Sequence, residues 1–247
     1  MRASRLRLGP ARWYLRQNRT VSLPTKKIVK IDLKDVRKQL AAQGFAVASG
    51  TLEDVERASR FENFFTAAPT SSPRENLRLV PYTEEEAPPR SLSAVYGLSA
   101  QPLHTDGAHL LDPPAVIVLH SAHPTPTGTA LRKPGSKGPH VQSLPESVRE
   151  GIFTVRGNGI AFLAGASEGY SRIRFDPVVM SPADAMARAA VEWFAEERAH
   201  ALIHMWDKDD QLLFIDNHRM LHAREAVEHD VDTRELSRLA LNYSEKP

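Results

Sequence analysis

The chain has 247 residues, with 32 Lys and Arg against 30 Asp and Glu, a formal net charge of +2 and 41% hydrophobic residues; that is enough for a sizeable core in one large domain or two small ones. No apolar run approaches the ~18 residues of a membrane helix, and no Lys/Arg run interleaved with aromatics marks a nucleic-acid surface, so neither a membrane nor a nucleic acid is an expected partner. Cysteine is absent, which removes disulfides, thiolate metal sites and cysteine nucleophiles together, fits a reducing cytoplasm, and leaves His, Asp and Glu as the only ligands a metal could find.

Residues 1–27 hold no acidic residue, the first being Asp32. Pro10 and Pro24 interrupt any helix there, so the segment reads as a basic N-terminal arm, with an organelle-targeting sequence as the alternative. Residues 28–247 read as one domain. "KIVKID" has the composition of a short strand, and "DLKDVRKQLAAQG" that of a helix, with Leu33, Val36 and Leu40 on one face and Gly44 as its stop. "FAVASG" is a strand. "TLEDVERASRFENFF" opens with the Thr51/Asp54 capping-box pattern and predicts a buried stripe of Val55, Ala58, Phe61 and Phe65.

Residues 66–92 are rich in Pro, Ser and Glu and read as a long irregular excursion, either a lid over a site or a surface insertion. "PPAVIVLHS" is a buried strand by composition. Pro124, Pro126, Pro134, Pro139 and Pro145 make the next stretch loop-like. "LPESVREGIF" predicts a short helix and "GIAFLAG" another buried strand. "SPADAMARAAVEWFAEERAHA" is the clearest helix, with Ser181 as N-cap, Pro182 as first helical residue, Asp184 as capping partner, and Met186, Ala190, Trp193 and Phe194 inward. "DQLLFIDN", "MLHAR" and "SRLALNY" are the last strands. Many short strands with long Pro-rich connections predict a β-sandwich or barrel with helices packed outside; a doubly wound sheet would need regular alternation of strand and helix.

The chemistry concentrates in "QPLHTDGAHLLDPPAVIVLH". His104 and Asp106 have the i, i+2 spacing that puts two side chains on one face of a strand. A His and a carboxylate from one strand, completed by a distant His, form the two-His-one-carboxylate set that binds non-haem Fe(II) on three positions and leaves three open. An isolated H-x-D recurs by chance, and the chain has ten His. Among the others, His222 alone has a fitting context, after an apolar strand in "FIDNHRMLHAREAV". Downstream, Arg238 precedes an alternating strand. If it points inward it needs an anion, which a dicarboxylate cosubstrate or an internal salt bridge would supply.

Taken together, "PLHTDG", the block "LLFIDNHRMLHAR" and the later Arg234 and Arg238 resemble the taurine-dioxygenase/clavaminate-synthase-like family of Fe(II)- and 2-oxoglutarate-dependent oxygenases. The resemblance extends from about Ile28 onward and is specific in the two blocks around His104 and His222. It implies a mainly β fold with flanking helices, a double-stranded β-helix of the jelly-roll, cupin-like kind. It implies His104, Asp106 and His222 as Fe(II) ligands and catalytic centre, Arg238 for the far carboxylate of 2-oxoglutarate with Arg234 as the alternative, and Thr129 touching the same carboxylate. "TGT" at 127–129 departs from the family's usual motif there. Dioxygen is the other cosubstrate. A carboxylate at Asp106, rather than a halide position, points to hydroxylation or desaturation of a small-molecule substrate.

Substrate-facing candidates are Tyr96, Gln101, His109 and Arg224, with Trp206 ahead of the late strand; core packing is the alternative for Tyr96 and Trp206, and Arg224 and Arg219 could hold an anionic substrate or bind nearby carboxylates such as Asp216. Two other readings stay open: a cupin-type metal oxygenase that uses no oxo-acid, and a non-catalytic jelly-roll protein with a vestigial site.

Overall fold

The computed structural model describes residues 30–68, 78–135, 144–157, 159–169, 172–229 and 231–244. The predicted N-terminal arm therefore lies outside the described residues. In chain order the elements begin with α1 (Leu33–Gln43), β1 (Phe45–Ser49), α2 (Leu52–Glu62), β2 (Phe65–Ala67) and α3 (Ser93–Tyr96). Next come β3 (Val116–Ser121), β4 (Thr125–Arg132), α4 (Glu146–Glu150), β5 (Ile152–Gly157), β6 (Ile160–Gly165), β7 (Ser167–Glu168), β8 (Arg172–Ile173) and β9 (Met180–Pro182). The last are α5 (Ala185–Glu197), β10 (Leu202–Trp206), β11 (Gln211–Asp216), β12 (Leu221–Arg224) and β13 (Ser237–Tyr243).

Two antiparallel sheets form the body, a five-stranded one ordered β1-β11-β3-β13-β2 and a three-stranded one ordered β10-β4-β12. Alternation along each strand decides what each face meets. On the large sheet, Val116, Val118, Leu212, Phe214 and Leu241 face α1 and α2 and share a core with Leu33, Val36, Leu40 and Val55. The opposite residues, Ile117, Leu119, Leu213, Ile215 and Ala240, meet Leu131 and Trp206 of the small sheet. The outer face of the small sheet, through Ala130, Leu221 and Ala223, is covered by β5, α4 and α5. The result is a jelly-roll sandwich with helices on both outer faces, the mainly β architecture expected from the sequence. Each fully buried aliphatic contributes about 1.5–3 kcal/mol.

Several local expectations hold for the stated reasons. Asp32 caps α1 through its carboxylate, and Gly44 ends it in the left-handed region at φ 89°. A Cβ added at Gly44 would lie 2.5 Å from Met220 Sδ, so any other residue at this left-handed stop would have to displace that side chain. Thr51 and Asp54 form the complete capping box of α2. Others change. Lys30–Asp32 is not strand, since Asp32 is committed to capping α1. Phe61 is 85% exposed, because α2 ends at Glu62 with Asn63 in αL and Phe65 is buried from β2 instead. Of the Pro-rich stretch after residue 124, Thr125–Arg132 is β4 rather than loop, Pro134 follows in a turn, and Pro139 lies outside the described residues. Pro126 falls in the irregular part of the β4–β10 pairing, between Thr129↔His204 and Thr125↔Trp206, where a missing N–H is tolerated. The "GIAFLAG" strand is largely exposed rather than buried, because the three-stranded sheet β6-β5-β9 places it at an edge. The N-cap of α5 is Asp184, whose side chain accepts from Ala187 N; Ser181 and Pro182 belong to β9, and Met186 faces outward while Ala187 takes the inner position.

Candidate metal centre

His104 and His222 face each other across an isolated antiparallel bridge. His104 N donates to His222 O at 3.0 Å and His222 N to His104 O at 2.9 Å. Residues that exchange both bonds project to the same side, and the two rings stand 4.6 Å apart, tilted by 47°. Asp106, two residues on, returns to that side. Its Oδ1 lies 3.8 Å from His104 Nε2 and 3.7 Å from His222 Nε2, and the three ligand atoms lie within 4.8 Å of one another. Thr105 points the other way, donating its N–H to Phe175 O at 2.7 Å.

The register of His222 comes from β12, whose every residue pairs with β4, His222 opposite Leu131 and Arg224 opposite Thr129. The segment of Asp106 is held differently. Asn217, buried at the end of β11, accepts from Asp106 N at 2.8 Å and donates to Asp106 O at 2.9 Å and Pro114 O at 2.8 Å. The chain then turns at Gly107, φ 73°, where a Cβ would lie 2.8 Å from Pro114 Cδ. The Arg174 guanidinium donates to the carbonyls of Ala108, Leu110 and Leu111 and pairs with Glu168.

Protonation suits a cation. His104 Nδ1 lies 3.0 Å from the Pro102 carbonyl, which only accepts, so Nδ1 carries the proton and Nε2 presents its lone pair. Burial, and then the neighbouring His222, push the His104 imidazole down to about 4, so it is neutral near pH 7. Burial alone would raise the Asp106 carboxyl, but the charge of Arg238 and the two imidazoles overcome it and hold the group well below the usual carboxylate range. Two imidazole nitrogens and a carboxylate oxygen on one side of a cavity are a donor set for a divalent transition metal with open positions.

That cavity, ≈240 Å³, is lined by the three ligands and by Gln101, Thr129, Arg224, Arg234 and Arg238, with Leu79, Val80, Ser91 and Leu92 of the excursion and Ser93 of α3 also on its wall. Arg238 shares the inward parity of Leu236 and Ala240 on β13, and its Nη1 donates to Asp106 Oδ2 at 2.9 Å. Arg234 is also buried. The Thr129 hydroxyl accepts from Trp206 Nε1 at 3.1 Å, and Trp206 itself is core. Arg224 donates to the carbonyls of Gly97 and Ser99, fixing the approach to Gln101. Arg219 pairs with Asp216. Two substrate candidates lie elsewhere. Tyr96 lines a neighbouring cleft of ≈390 Å³ with Gln101, Phe175 and Phe194, and His109 packs on Gly157 of β5 and does not line the metal cavity. Asn217 and Arg174 carry no sequence signal of their own, because each acts on backbone atoms of a distant segment.

Residues 130–240 match the family model described as Taurine catabolism dioxygenase TauD, TfdA family, the family that the sequence resembles; His222, Arg234 and Arg238 fall inside the match, while His104 and Asp106 precede it. No curated protein matches the sequence. Among solved structures, the chain is similar to the non-heme iron oxygenase OrfP in complex with Fe and alpha-ketoglutaric acid, with 16% identity over 85% of this chain and 79% of that one at TM-score 0.62. It is similar to PvcB from Pseudomonas aeruginosa, with 18% identity over 86% of this chain and 80% of that one at TM-score 0.58. It is also similar to asparagine oxygenase in complex with Fe(II), 2S,3S-3-hydroxyasparagine and succinate, with 16% identity over 66% of this chain at TM-score 0.52, where the match spans just 55% of that chain. At these identities the likeness establishes the fold.

Proposed function

We propose that this chain, with its TauD, TfdA match over residues 130–240, is an Fe(II)- and 2-oxoglutarate-dependent dioxygenase. It hydroxylates or desaturates a small organic substrate and releases succinate and CO2. The observation that carries the reading is the convergence of His104, Asp106 and His222 on one buried cavity that also holds two further inward guanidinium groups, Arg234 and Arg238. Fold relatives that bind iron with alpha-ketoglutaric acid, or with succinate and a hydroxylated amino acid, support it.

Iron with 2-oxoglutarate and dioxygen would supply the oxidising chemistry, and the protein contributes binding, orientation and exclusion of water. His104 and His222 offer their Nε2 atoms. Asp106 offers Oδ1, while its Oδ2 stays with Arg238, which holds the carboxylate to a single free oxygen. The two arginines are divided by reach. Arg238 already contacts a metal ligand and sits at the metal end. Arg234, with the Thr129 hydroxyl in the same cavity, takes the far carboxylate of the oxo-acid, where a planar guanidinium makes paired hydrogen bonds.

The test is anaerobic addition of Fe(II) and 2-oxoglutarate, followed by oxygen. The expected result is a visible absorption band requiring both additions, then iron-dependent succinate formation. Absence of both would refute the reading; iron binding and oxygen use with no succinate would favour a metal oxygenase that needs no oxo-acid. Arg234→Leu is expected to weaken 2-oxoglutarate binding by at least tenfold, measured by titrating the band. If Arg238→Leu alone does so, the far carboxylate belongs to Arg238.

A further inference from the structure

Small-molecule sites usually enclose about 300–1,000 Å³. At ≈240 Å³ the metal cavity lies below that range even before a metal and an oxo-acid are placed in it. The body of a primary substrate therefore needs room beside it. The neighbouring cleft, at ≈390 Å³, falls within the range. Gln101 lines both spaces, so they meet at this residue. The junction is held in place: Gln101 N donates to Arg224 O at 2.9 Å and Gln101 Nε2 to Ser93 Oγ at 3.4 Å. Ser93 lines the metal cavity, and Tyr96, at the other end of α3, lines the cleft.

The lining of the cleft suits hydrocarbon. Val191, Phe194, Ala195 and Arg198 recur at the i, i+3, i+4, i+7 spacing of one helical face, so α5 and its C-cap form one wall. Pro102, Leu103, Phe175 and Pro177 form the other. The rings of Phe175 and Phe194 stack with centroids 4.0 Å apart. The charge of Arg198 is already answered, since its Nη2 donates to Glu225 at 2.6 Å. The second wall is also tied to the metal-bearing segment. The Pro102 carbonyl lies 3.0 Å from His104 Nδ1. Thr105, between the two ligands, donates its N–H to Phe175 O at 2.7 Å and accepts from Phe175 N at its hydroxyl at 3.1 Å. A molecule resting on this wall touches residues bonded directly to the ligand segment.

We infer that the cleft holds an aromatic or aliphatic body of the primary substrate, whose reacting end passes Gln101 into the metal cavity. The inference rests on the oxygenase reading above for the reaction, and it narrows the substrate class to elongated molecules with an extended apolar part. A compact, wholly polar substrate would leave the cleft unused.

The experiment uses the Fe(II)- and 2-oxoglutarate-loaded protein without oxygen. Octanol and phenylbutanol are titrated against triethylene glycol, a polar chain of similar length, with binding read by calorimetry and by the shift of the absorption band. The expected result is at least a tenfold preference for an apolar probe, with the band moving as it binds. Ala195 and Ala100 line the cleft from exposed positions. Ala195→Trp and Ala100→Trp fill it, and each should weaken apolar binding at least tenfold while the band still forms; Ala195→Ser should bind as the wild type does. No preference, including no binding at all, would overturn the inference. So would apolar binding that survives both tryptophan variants, or binding that leaves the band unmoved. If no band forms in the wild-type protein, the oxygenase reading fails separately, and the calorimetric contrast between wild type and Ala195→Trp still decides whether the cleft takes an apolar ligand.

Discussion

His222 and Asp106 reach the same cavity by different means. His222 is one of four consecutive residues of β12 that all pair with β4, so its place is set by a continuous backbone ladder. Asp106 follows a single isolated bridge and is secured by side chains from elsewhere, Asn217 on its own peptide groups and Arg174 on the carbonyls just beyond. A ladder loses precision only when the sheet itself loosens. A clamp made of two side chains can be undone by one substitution while the sheet stays whole. Stability and site geometry should therefore separate on the Asp106 side and travel together on the His222 side.

The largest effect removes the ligands themselves. Asp106→Ala and His222→Ala are expected to abolish stoichiometric Fe(II) binding and succinate formation with circular dichroism unchanged; an active Asp106→Ala protein would take Asp106 out of the chemistry. Next, Asn217→Ala should lower metal affinity by about 10–100-fold, the usual cost of losing a group that orients a ligand, with competitive chelator titration as the measurement. Wild-type affinity in that variant would mean the Asp106 turn is held by Arg174 alone. On the ladder side, Leu221→Ala should cost about 2–5 kcal/mol of stability through the cavity it leaves, seen in denaturant unfolding, with metal affinity falling alongside it; a stability loss at wild-type affinity would break the coupling on that side.

The smallest effect is in pH dependence. The folded pKa of His104 is about 4, below the usual 6.5, so the unfolded chain binds more protons between those values and stability rises with pH across that window. Asp176, raised from 3.8 to about 6, has the opposite sign and loses stability as pH rises through its window. The two oppose each other between about pH 4 and 6. In the metal-free protein, Asp176→Asn should leave a steeper rise of stability with pH there, measured as melting temperature; an unchanged slope would contradict the opposition.

The features legible in the sequence are those carried by short-range pattern. The caps of α1 and α2, the strand "SRLALNY" and the pairing of an H-x-D turn with a late His block all declare themselves locally, and the structure brings that His block to the H-x-D turn. β4 was hidden because Pro126 signals loop, and only the irregular register opposite Trp206 makes it admissible in a strand. Phe61 misled because apolar periodicity continues past the end of α2, which Asn63 decides through its left-handed backbone. Asn217 reads as an ordinary turn residue until its partners, more than a hundred positions earlier, are in place.

The position of β13 has a consequence for folding. It is the last described strand, yet it lies between β3 and β2 inside the large sheet and brings Arg238 to Asp106. Until that strand docks, the sheet has a gap in its interior and the carboxylate of the candidate metal corner lacks its guanidinium partner, so closing the sheet and finishing the corner are one event.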